Sequence, residues 1–270
     1  MKESEYTPTK QVEFRRVFGA ISGIVGANSV PKDPPNAYHN LKYMSDIEER
    51  KFVYIDLYGG DGGHPCGWGS PITAIEICEK TLSNFGLEYD LHFYERDHKA
   101  ADRLDNIISP FKPSSPGCSI RIHEEDCANV LDLEIPDNSM GLVYADPYGN
   151  CEYIPYLIEL SKRHEYSKID FLVNANIVSV KRINGAHRHC DECLCGSAFD
   201  MCINNIEKKH KRVRKEDGRW QWTMILLTNT SIFNKKDWDN YKWFTEAESE
   251  KALREVSKTN AQKRDIQNVR

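Results

Sequence analysis

A glycine-rich segment, residues 59–63, is the part of the sequence best suited to hold a small ligand. Four of its five residues are glycine, and it follows the apolar run Phe52–Tyr58, which predicts a buried strand. Glycine at this density costs conformational entropy, so the segment must need a bare backbone. A ligand that lies against the main chain at the carboxyl end of a strand in an open α/β sheet creates such a need.

Acidic residues occupy the carboxyl ends of the first four predicted strands, at Asp56, Glu95, Asp126 and Asp146. Carboxylates would repel a phosphate-rich ligand, but they accept hydrogen bonds from ribose hydroxyls and amino groups and attract cations. The pattern therefore predicts a ligand that carries hydroxyls, an exocyclic amine and a cationic centre. Two further acidic residues, Asp97 and Glu124, are interpreted as helix starts, where the helix macrodipole favours negative charge.

The glycine segment and these acidic residues together resemble the class I S-adenosylmethionine-dependent methyltransferases. The resemblance implies that the glycine loop cradles the cofactor, that Glu95 holds its ribose and that Asp126 contacts its adenine. The predicted cofactor is thus S-adenosyl-L-methionine. The residues predicted to bind it are Asp56, Tyr58, Gly59, Gly60, Gly62, Glu95, Asp126 and Cys127.

The segment Asp146-Pro147-Tyr148-Gly149 resembles the catalytic turn of methyltransferases that act on exocyclic amino groups of nucleic-acid bases. Proline fixes the backbone, so that the carbonyl after it and the Asp146 carboxylate can accept the hydrogens of one amine. Tyr148 can stack on the base. The predicted catalytic residues are therefore Asp146, Pro147 and Tyr148.

A closer resemblance is to the three-Cys-motif partner protein family, a methyltransferase-like group. It is carried by Gly69-Ser70-Pro71 and Asp146-Pro-Tyr-Gly149 and covers roughly residues 38–175. One difference is Asp61, because the family usually has Phe-Ala-Gly-Pro-Gly where this chain has Tyr-Gly-Gly-Asp-Gly-Gly. The extra charge could meet the ammonium group of the cofactor or mark an altered pocket. A nuclease that uses Glu95, Asp126 and Asp146 to bind a metal is a weaker alternative, since separate strand ends suit cofactor contacts better.

The chain has nine cysteines, an odd number, and we find no secretion signal, so the sequence argues against a disulfide framework. Four of them cluster, and a Cys-x-x-Cys pair flanked by histidine has the spacing of a zinc knuckle. The candidate ligands of a Zn2+ ion are His189, Cys190, Cys193 and Cys195, with Cys202 nearby. The alternatives are a polar loop with incidental thiols and a redox-sensitive pair.

A basic run, residues 208–215, carries six formal positive charges in eight residues. It predicts a strip of phosphate contacts beside a nucleic-acid substrate, formed by Lys208, Lys209, Lys211, Arg212, Arg214 and Lys215. The alternative is a solvated helix end.

Strands alternate with helices from residue 52 onward, and this order predicts a Rossmann-like, doubly wound α/β fold with a mostly parallel sheet. The predicted strands are Phe52–Tyr58, Leu91–Tyr94, Ser119–His123, Gly141–Ala145, Ile169–Ala175 and Trp222–Thr228. The predicted helices start at Ala37, at Ser70 with serine as the N-cap, at His98 and near Tyr153. The expected organisation is an N-terminal helical extension (1–50), a methyltransferase-like domain (51–233) with a Cys/basic insert (about 181–220), and a charged C-terminal tail (234–270). Within the tail, Glu246–Arg270 is expected to be a solvated helix or a frayed end.

With 270 residues, a net charge of −5 and a pI of about 6.0, the chain can bury a core but is no nucleic-acid-coating cation. We find no apolar run long enough for a membrane span and no signal region after the charged start, so we expect a cytoplasmic protein without a membrane partner. The predicted function is methyl transfer to an amino group, most naturally of a nucleic-acid base. The alternative is a non-catalytic module that binds nucleic acid or a protein partner through the Cys/basic insert.

Overall fold

The computed structural model describes residues 7–29, 51–64, 67–113, 115–147, 152–177, 180, 199–214, 222–229 and 242–257. The predicted helix that starts at Ala37 lies outside these ranges. The chain divides into two compact units, Met1–Tyr144 and Ala145–Arg270. None of the described helices combines the length and apolarity that crossing a membrane requires.

The strands, in chain order, are β1 (Lys51–Asp56), β2 (Gly63–His64), β3 (Gly67–Trp68), β4 (Glu88–Tyr94), β5 (Ser119–His123), β6 (Met140–Ala145), β7 (Ile169–Asn176), β8 (His210–Val213) and β9 (Trp222–Thr228). The main sheet has seven strands in the order β5-β4-β1-β6-β7-β9-β8, and β2 and β3 form a separate hairpin. The helices are α1 (Thr7–Ser29), α2 (Ser70–Ile77), α3 (His98–Ile108), α4 (Tyr153–Lys162), α5 (Phe199–Asn204) and α6 (Glu246–Ser257). This is the mixed α/β fold with a mostly parallel sheet that the alternation of strands and helices predicts.

In the first unit, β1 lies between β4 and β6, and β4 lies between β1 and β5. All three pairings are parallel. At its carboxyl end β1 is in register with both neighbours, because Asp56 lies opposite Phe93 on one side and Tyr144 on the other. Two strands therefore extend from one side of β1 and one from the other, which places the topological switch point of the unit between β1 and β6.

Helix α1 belongs to the core of the first unit. Its side chains Phe14 and Phe18 are buried, and Phe18 packs on the rings of Phe52 and Tyr54 of β1. Arg15 pairs with Glu76 of α2 at 2.7 Å. The apolar residues of α1 are spaced three to four apart and separated by polar ones, so its apolar face is not evident from the sequence.

The starts of α2 and α3 differ in their capping. The predicted serine cap of α2 is wrong, because the N-cap is Gly69, without a side-chain hydrogen bond, and Ser70 already lies in the helix. The interpretation of Asp97 as a helix start is confirmed, since its Oδ1 accepts a hydrogen bond from the amide of Ala100 at 2.9 Å.

In the second unit, β9 lies between β7 and β8, and both pairings are antiparallel. The amide of Val213 in β8 donates to Ser249 Oγ, and its carbonyl accepts from the amide of Phe244. These bonds cover the outer edge of a strand that would otherwise expose unpaired backbone groups. For the tail, the prediction of a helix is confirmed by α6, but the prediction that it is solvated is wrong at Ala252 and Leu253, which are buried.

Candidate cofactor and catalytic site

The glycine loop, residues 59–63, is fastened to the end of β4 by two hydrogen bonds. The amide of Gly59 donates to the carbonyl of Tyr94 at 2.8 Å, and the amide of Gly60 donates to Glu95 Oε2 at 2.9 Å. The loop after β1 and the predicted ribose-binding carboxylate are thus brought together, as carboxyl ends of adjacent parallel strands should be.

Two glycines of the loop adopt left-handed backbone conformations, with φ of 63° at Gly60 and 70° at Gly62. A Cβ atom on Gly62 would lie 2.7 Å from Leu104 Cδ1 of α3, so this position needs glycine for close packing as well. At Gly60, no atom of the described residues lies within 4 Å of the corresponding Cβ position. The loop is therefore packed tightly on α3 at one glycine and has open space beside another.

Asp56, the last residue of β1, is fully buried. Its carboxylate accepts hydrogen bonds from the Tyr54 hydroxyl and the Tyr58 amide, both at 3.1 Å. Burial, together with this carboxylate, raises the pKa of Tyr54 well above its ordinary value. Asp56 therefore fixes the backbone at Tyr58, the residue before the glycine loop.

Glu95 is partly buried and held in place from both sides. Its Oε1 accepts from the amide of Asp97 at 2.8 Å, and its own amide donates to the carbonyl of His123 at the end of β5. A carboxylate has about four lone-pair sites, so two backbone bonds leave it able to accept the two hydroxyls of a ribose.

Asp126 and Cys127 follow β5. Asp126 caps the short helix Cys127–Asp132 through a 2.9 Å bond from the amide of Ala128 and lies 3.6 Å from the guanidinium of Arg96. The Cys127 thiol is buried and donates to the Tyr58 hydroxyl at 3.6 Å. Tyr58 after β1 and Cys127 after β5 are thus in direct contact.

The extra charge in the loop, the carboxylate of Asp61, has a partner at each of its two oxygens. Its Oδ1 accepts from the amide of Gly63, and its Oδ2 pairs with Arg103 Nε of α3, both at 3.2 Å. Arg103 was not predicted, since it lies 42 residues away in the middle of an ordinary amphipathic helix.

Two histidines of β4 and β5 lie beside this site. His92 Nδ1 and His123 Nε2 are 3.0 Å apart, and the His123 ring stacks on Tyr94 with centroids 4.4 Å apart. Burial and the neighbouring His123 lower the pKa of His92 to about 4, and burial also lowers that of His123. Both rings are therefore neutral near pH 7 and act as packed parts of the sheet.

In the second unit, Asp146 comes one residue after β6 ends, and its Oδ1 accepts a 2.6 Å hydrogen bond from Asn174 Nδ2 of β7. Asn174 is 1% exposed, and its own Oδ1 has no hydrogen-bond partner among the described residues. Pro147 is buried, while Tyr148 lies outside the described residues. The sequence signal for Asn174 was a polar residue inside the apolar strand Phe-Leu-Val-Asn-Ala.

The basic run does not form the predicted strip of phosphate contacts at two of its positions. Lys208 and Arg214 are each 6% exposed. The Lys208 ammonium donates to the carbonyls of Tyr166 and Ile169, both at 2.7 Å. The prediction is wrong there, because side chains held inside the unit cannot reach a phosphate. The alternative of a solvated helix end is also wrong, since residues 210–213 form strand β8.

Two of the other described cations of the run form contacts within the protein. Arg212 pairs with Glu246 of α6 at 3.5 Å, and Lys211 donates to the carbonyl of Asn204 at 3.0 Å. Lys209 is exposed, and Lys215 lies outside the described residues. Burial lowers the pKa of Lys208 to about 8 and raises that of the nearby Asp170 carboxyl to about 7.

The predicted zinc ligands His189, Cys190, Cys193 and Cys195 all lie outside the described residues, so the metal remains a prediction from the sequence. Cys202, the nearby fifth candidate, is buried in α5.

No protein-family model and no curated protein matches the chain. Solved structures similar to it include an rRNA methylase from Streptococcus thermophilus, with 7% identity, a TM-score of 0.39 and coverage of 74% of this chain and 100% of the other. TrmN from Thermus thermophilus has 13% identity, a TM-score of 0.34 and coverages of 71% and 48%. The DszA carbon methyltransferase has 12% identity, a TM-score of 0.39 and coverages of 73% and 56%. At such low identities and TM-scores, these similarities assign no function to the chain.

Proposed function

We propose that this chain is an S-adenosylmethionine-dependent methyltransferase that transfers a methyl group to an amino group of a nucleic-acid base. The observation that carries the proposal is the hydrogen bond from the Gly60 amide to Glu95 Oε2, 2.9 Å long. It joins a glycine loop to an acidic strand end at the edge of the sheet where parallel α/β folds bind ligands.

The residues around the loop fit an adenosyl ligand. Gly60 leaves open space beside the main chain, Glu95 has lone pairs for ribose hydroxyls, and Asp126 is half exposed and can accept from an adenine amine. Tyr58 and Cys127 supply an adjoining, largely apolar wall. When bound, S-adenosylmethionine supplies a methyl group already activated by its sulfonium, so the protein chiefly has to bind and align the reactants.

Asp146 is proposed to hold the amine that receives the methyl group. It follows β6, whose Tyr144 lies opposite Asp56 at the end of the parallel strand β1. The bond from Asn174 fixes the orientation of the Asp146 carboxylate. A fixed carboxylate accepts hydrogen bonds from the amine and so directs the lone pair of the nitrogen towards the methyl donor, which contributes through orientation rather than through strong acid or base chemistry.

A nucleic-acid base is proposed as the substrate because of the Asp146-Pro147-Tyr148 turn, which resembles that of base-directed methyltransferases. The basic run adds little support, since Lys208 and Arg214 are buried. Lys209, Lys211 and Arg212 remain the described cations that could contact phosphate.

Calorimetry with S-adenosylhomocysteine tests the cofactor site. We expect the wild-type protein to bind it and Glu95→Gln to bind about tenfold or more weakly, because the amide loses charge-assisted acceptor capacity. The matched control is Glu124→Gln, an exposed residue at the next strand end, which should keep wild-type affinity. A wild-type protein that binds no adenosyl ligand at high micromolar concentration would refute the proposal and favour the non-catalytic module.

Incubation with methyl-labelled S-adenosylmethionine and separate pools of DNA, RNA and protein tests the substrate. Label should enter a nucleic-acid pool, and Asp146→Ala should abolish this incorporation while leaving S-adenosylhomocysteine binding intact. Asp137→Ala, in an exposed turn, is the control for general damage. Full activity of Asp146→Ala would remove that residue from the mechanism, and label only in protein would exclude the base as substrate.

A further inference from the structure

We infer that Asn174 is a positioning residue for methyl transfer, and that its side-chain amide pairs with Asp146 both before and after this carboxylate receives a proton from the methylated amine. The inference rests on the proposed function and deepens it, because it states where the proton of the amine goes. It concerns a residue of β7 that lies outside the Asp146-Pro147-Tyr148 turn.

Asn174 is an unusual residue for its place in the sheet. It lies in β7, whose residues 169–175 are all buried, and is itself 1% exposed. Its Nδ2 donates to Asp146 Oδ1 at 2.6 Å, whereas its Oδ1 is buried and has no hydrogen-bond partner in the part of the chain that the structure describes. A buried acceptor without a donor lowers the stability of the fold, so an apolar side chain would be less costly at this position.

The orientation of the amide follows from the charge of Asp146. An ionised carboxylate can only accept hydrogen bonds, so the amide must turn its NH2 group towards it. The amide oxygen is then left without a bond to the carboxylate. A carboxylic acid, in contrast, offers a donor as well as an acceptor and is complementary to an amide at both positions. Protonation of Asp146 would therefore supply the donor that Asn174 Oδ1 lacks.

The proposed reaction provides this proton. The N–C bond forms as the S–C bond breaks, the electron pair of the S–C bond remains on the sulfur, and the nitrogen becomes positively charged. The methylated nitrogen then loses a proton to Asp146, and the proton later leaves to water. A protonated amine on an aromatic base is a strong acid, so a carboxylate of ordinary basicity is a sufficient acceptor. Asn174 thus stabilises Asp146 in both of the protonation states that the reaction requires.

The test is Asn174→Leu, which roughly keeps the volume of the side chain and removes both its donor and its acceptor. Activity is measured as methyl incorporation from labelled S-adenosylmethionine into the nucleic-acid pool that accepts label. We expect kcat to fall about tenfold to hundredfold, the range of a hydrogen bond to a charged group. The KM for S-adenosylmethionine and the affinity for S-adenosylhomocysteine should stay within about twofold.

A stability measurement separates this role from a structural one. In Asn174→Leu the free energy of unfolding should stay the same or rise, because the buried acceptor without a donor is gone. Asn229→Leu is the matched control, since the amide of Asn229 has a partner at each end. Its Nδ2 donates to the carbonyl of Ser167 at 2.9 Å, and its Oδ1 accepts from the amide of Lys209 at 3.0 Å. This control should lose stability and keep kcat within about twofold.

Asn174→Asp is the second variant. Two carboxyl groups in contact share one proton, because two adjacent negative charges repel each other, and the shared proton is bound more fully at low pH. The pair then again offers a donor and an acceptor. The kcat of Asn174→Asp relative to wild type should therefore be at least about tenfold higher at pH 6 than at pH 8.5, whereas that of Asn174→Leu should be low at both.

The outcomes distinguish the inference from the proposed function. A wild-type kcat in Asn174→Leu would overturn the inference and leave the proposed function standing. A parallel loss of kcat, cofactor affinity and stability in that variant would show a structural role only and would also overturn the inference. Label in no nucleic-acid pool would refute the proposed function and the inference with it.

Discussion

The glycine loop and the basic run are the two most conspicuous segments of the sequence, and the structure treats them in opposite ways. The loop, residues 59–63, lies at a strand end and meets a second predicted residue, Glu95, through a direct hydrogen bond. Of the run, the described residues 208–214 are partly internal to their unit, since Lys208 and Arg214 are buried while Lys209 is exposed.

The difference shows which kind of sequence signal is informative about a site. The loop was identified by its position after a strand together with three other strand ends, and the sheet forces such positions to converge. The run was identified by charge density alone, which specifies neither a secondary structure nor a direction for any side chain. The two buried cations, Lys208 and Arg214, flank strand β8, whose own cations, Lys211 and Arg212, are partly exposed.

The largest effect that would test this comparison is expected at Lys208. Lys208→Met should lower the free energy of unfolding by about 3 kcal/mol or more, because it leaves two buried carbonyls without their donor and Asp170 without its cation. Lys209→Met, at the exposed neighbour, should stay within about 0.5 kcal/mol. Urea denaturation measures both, and equal small losses would show that the whole run is solvated.

Two buried groups, His92 in the first unit and Asp170 in the second, should make the free energy of unfolding change with pH in opposite directions. His92 has a pKa lowered from 6.5 to about 4, so its stabilising contribution is complete above pH 6.5 and is lost as pH falls towards 4. Its size is up to about 3 kcal/mol. Asp170 has a pKa raised from 3.8 to about 7, so its contribution is present below about pH 4 and is lost as pH rises through 7.

Denaturation of wild type, His92→Gln and Asp170→Asn between pH 4 and 8 separates these two contributions. His92→Gln should flatten the loss of stability below pH 6.5, and Asp170→Asn should flatten the loss between pH 4 and 7. Unchanged pH profiles in both variants would mean that neither group is buried as described.

A smaller effect is expected within the glycine loop itself. Gly62→Ala should cost roughly 2 to 3 kcal/mol, since alanine must adopt φ of 70° and its Cβ meets Leu104. Gly60→Ala has nearly the same φ but open space around it, so it should cost only about 1 kcal/mol. Thermal unfolding compares them, and equal losses would show that packing on α3 contributes nothing.

The sequence predicted the elements whose signals are local. The bounds of β5, β9 and α3 agree with the prediction, because alternating apolar residues mark β5, a continuous apolar run marks β9 and an aspartate cap marks the start of α3. The apolar face of α1 was missed, since it needs contacts with β1 to become evident. The N-cap of α2 was misplaced by one residue, because glycine can begin a helix without a side-chain bond.

The candidate site was predictable where residues follow strands and unpredictable where they lie within other elements. Glu95 and Asp126 were found because strand ends are visible in the sequence. Arg103 and Asn174 were missed, since one lies on a helix surface and the other inside a strand, and only the tertiary fold places them beside Asp61 and Asp146.

The smallest expected effect concerns the part of the basic run that stays at the surface. Glu246 Oε1 lies 2.7 Å from His210 Nδ1 and 3.5 Å from Arg212 Nη2, and the Glu246 side chain is 48% exposed. Glu246→Gln should cost no more than about 1 kcal/mol at low salt and less at high salt, because exposed pairs are screened.

Glu250→Gln is the control for Glu246→Gln, since its partner Arg254 is 3.8 Å away on the same helix, and it should cost still less. Urea denaturation at two salt concentrations measures the loss of stability in both variants. A loss at Glu246 that approached the one at Lys208 and resisted salt would mean that the surface of β8 is organised as tightly as its interior. The glycine loop and the basic run would then be equally well ordered. They would differ only in the chemistry of the ligands that they could bind.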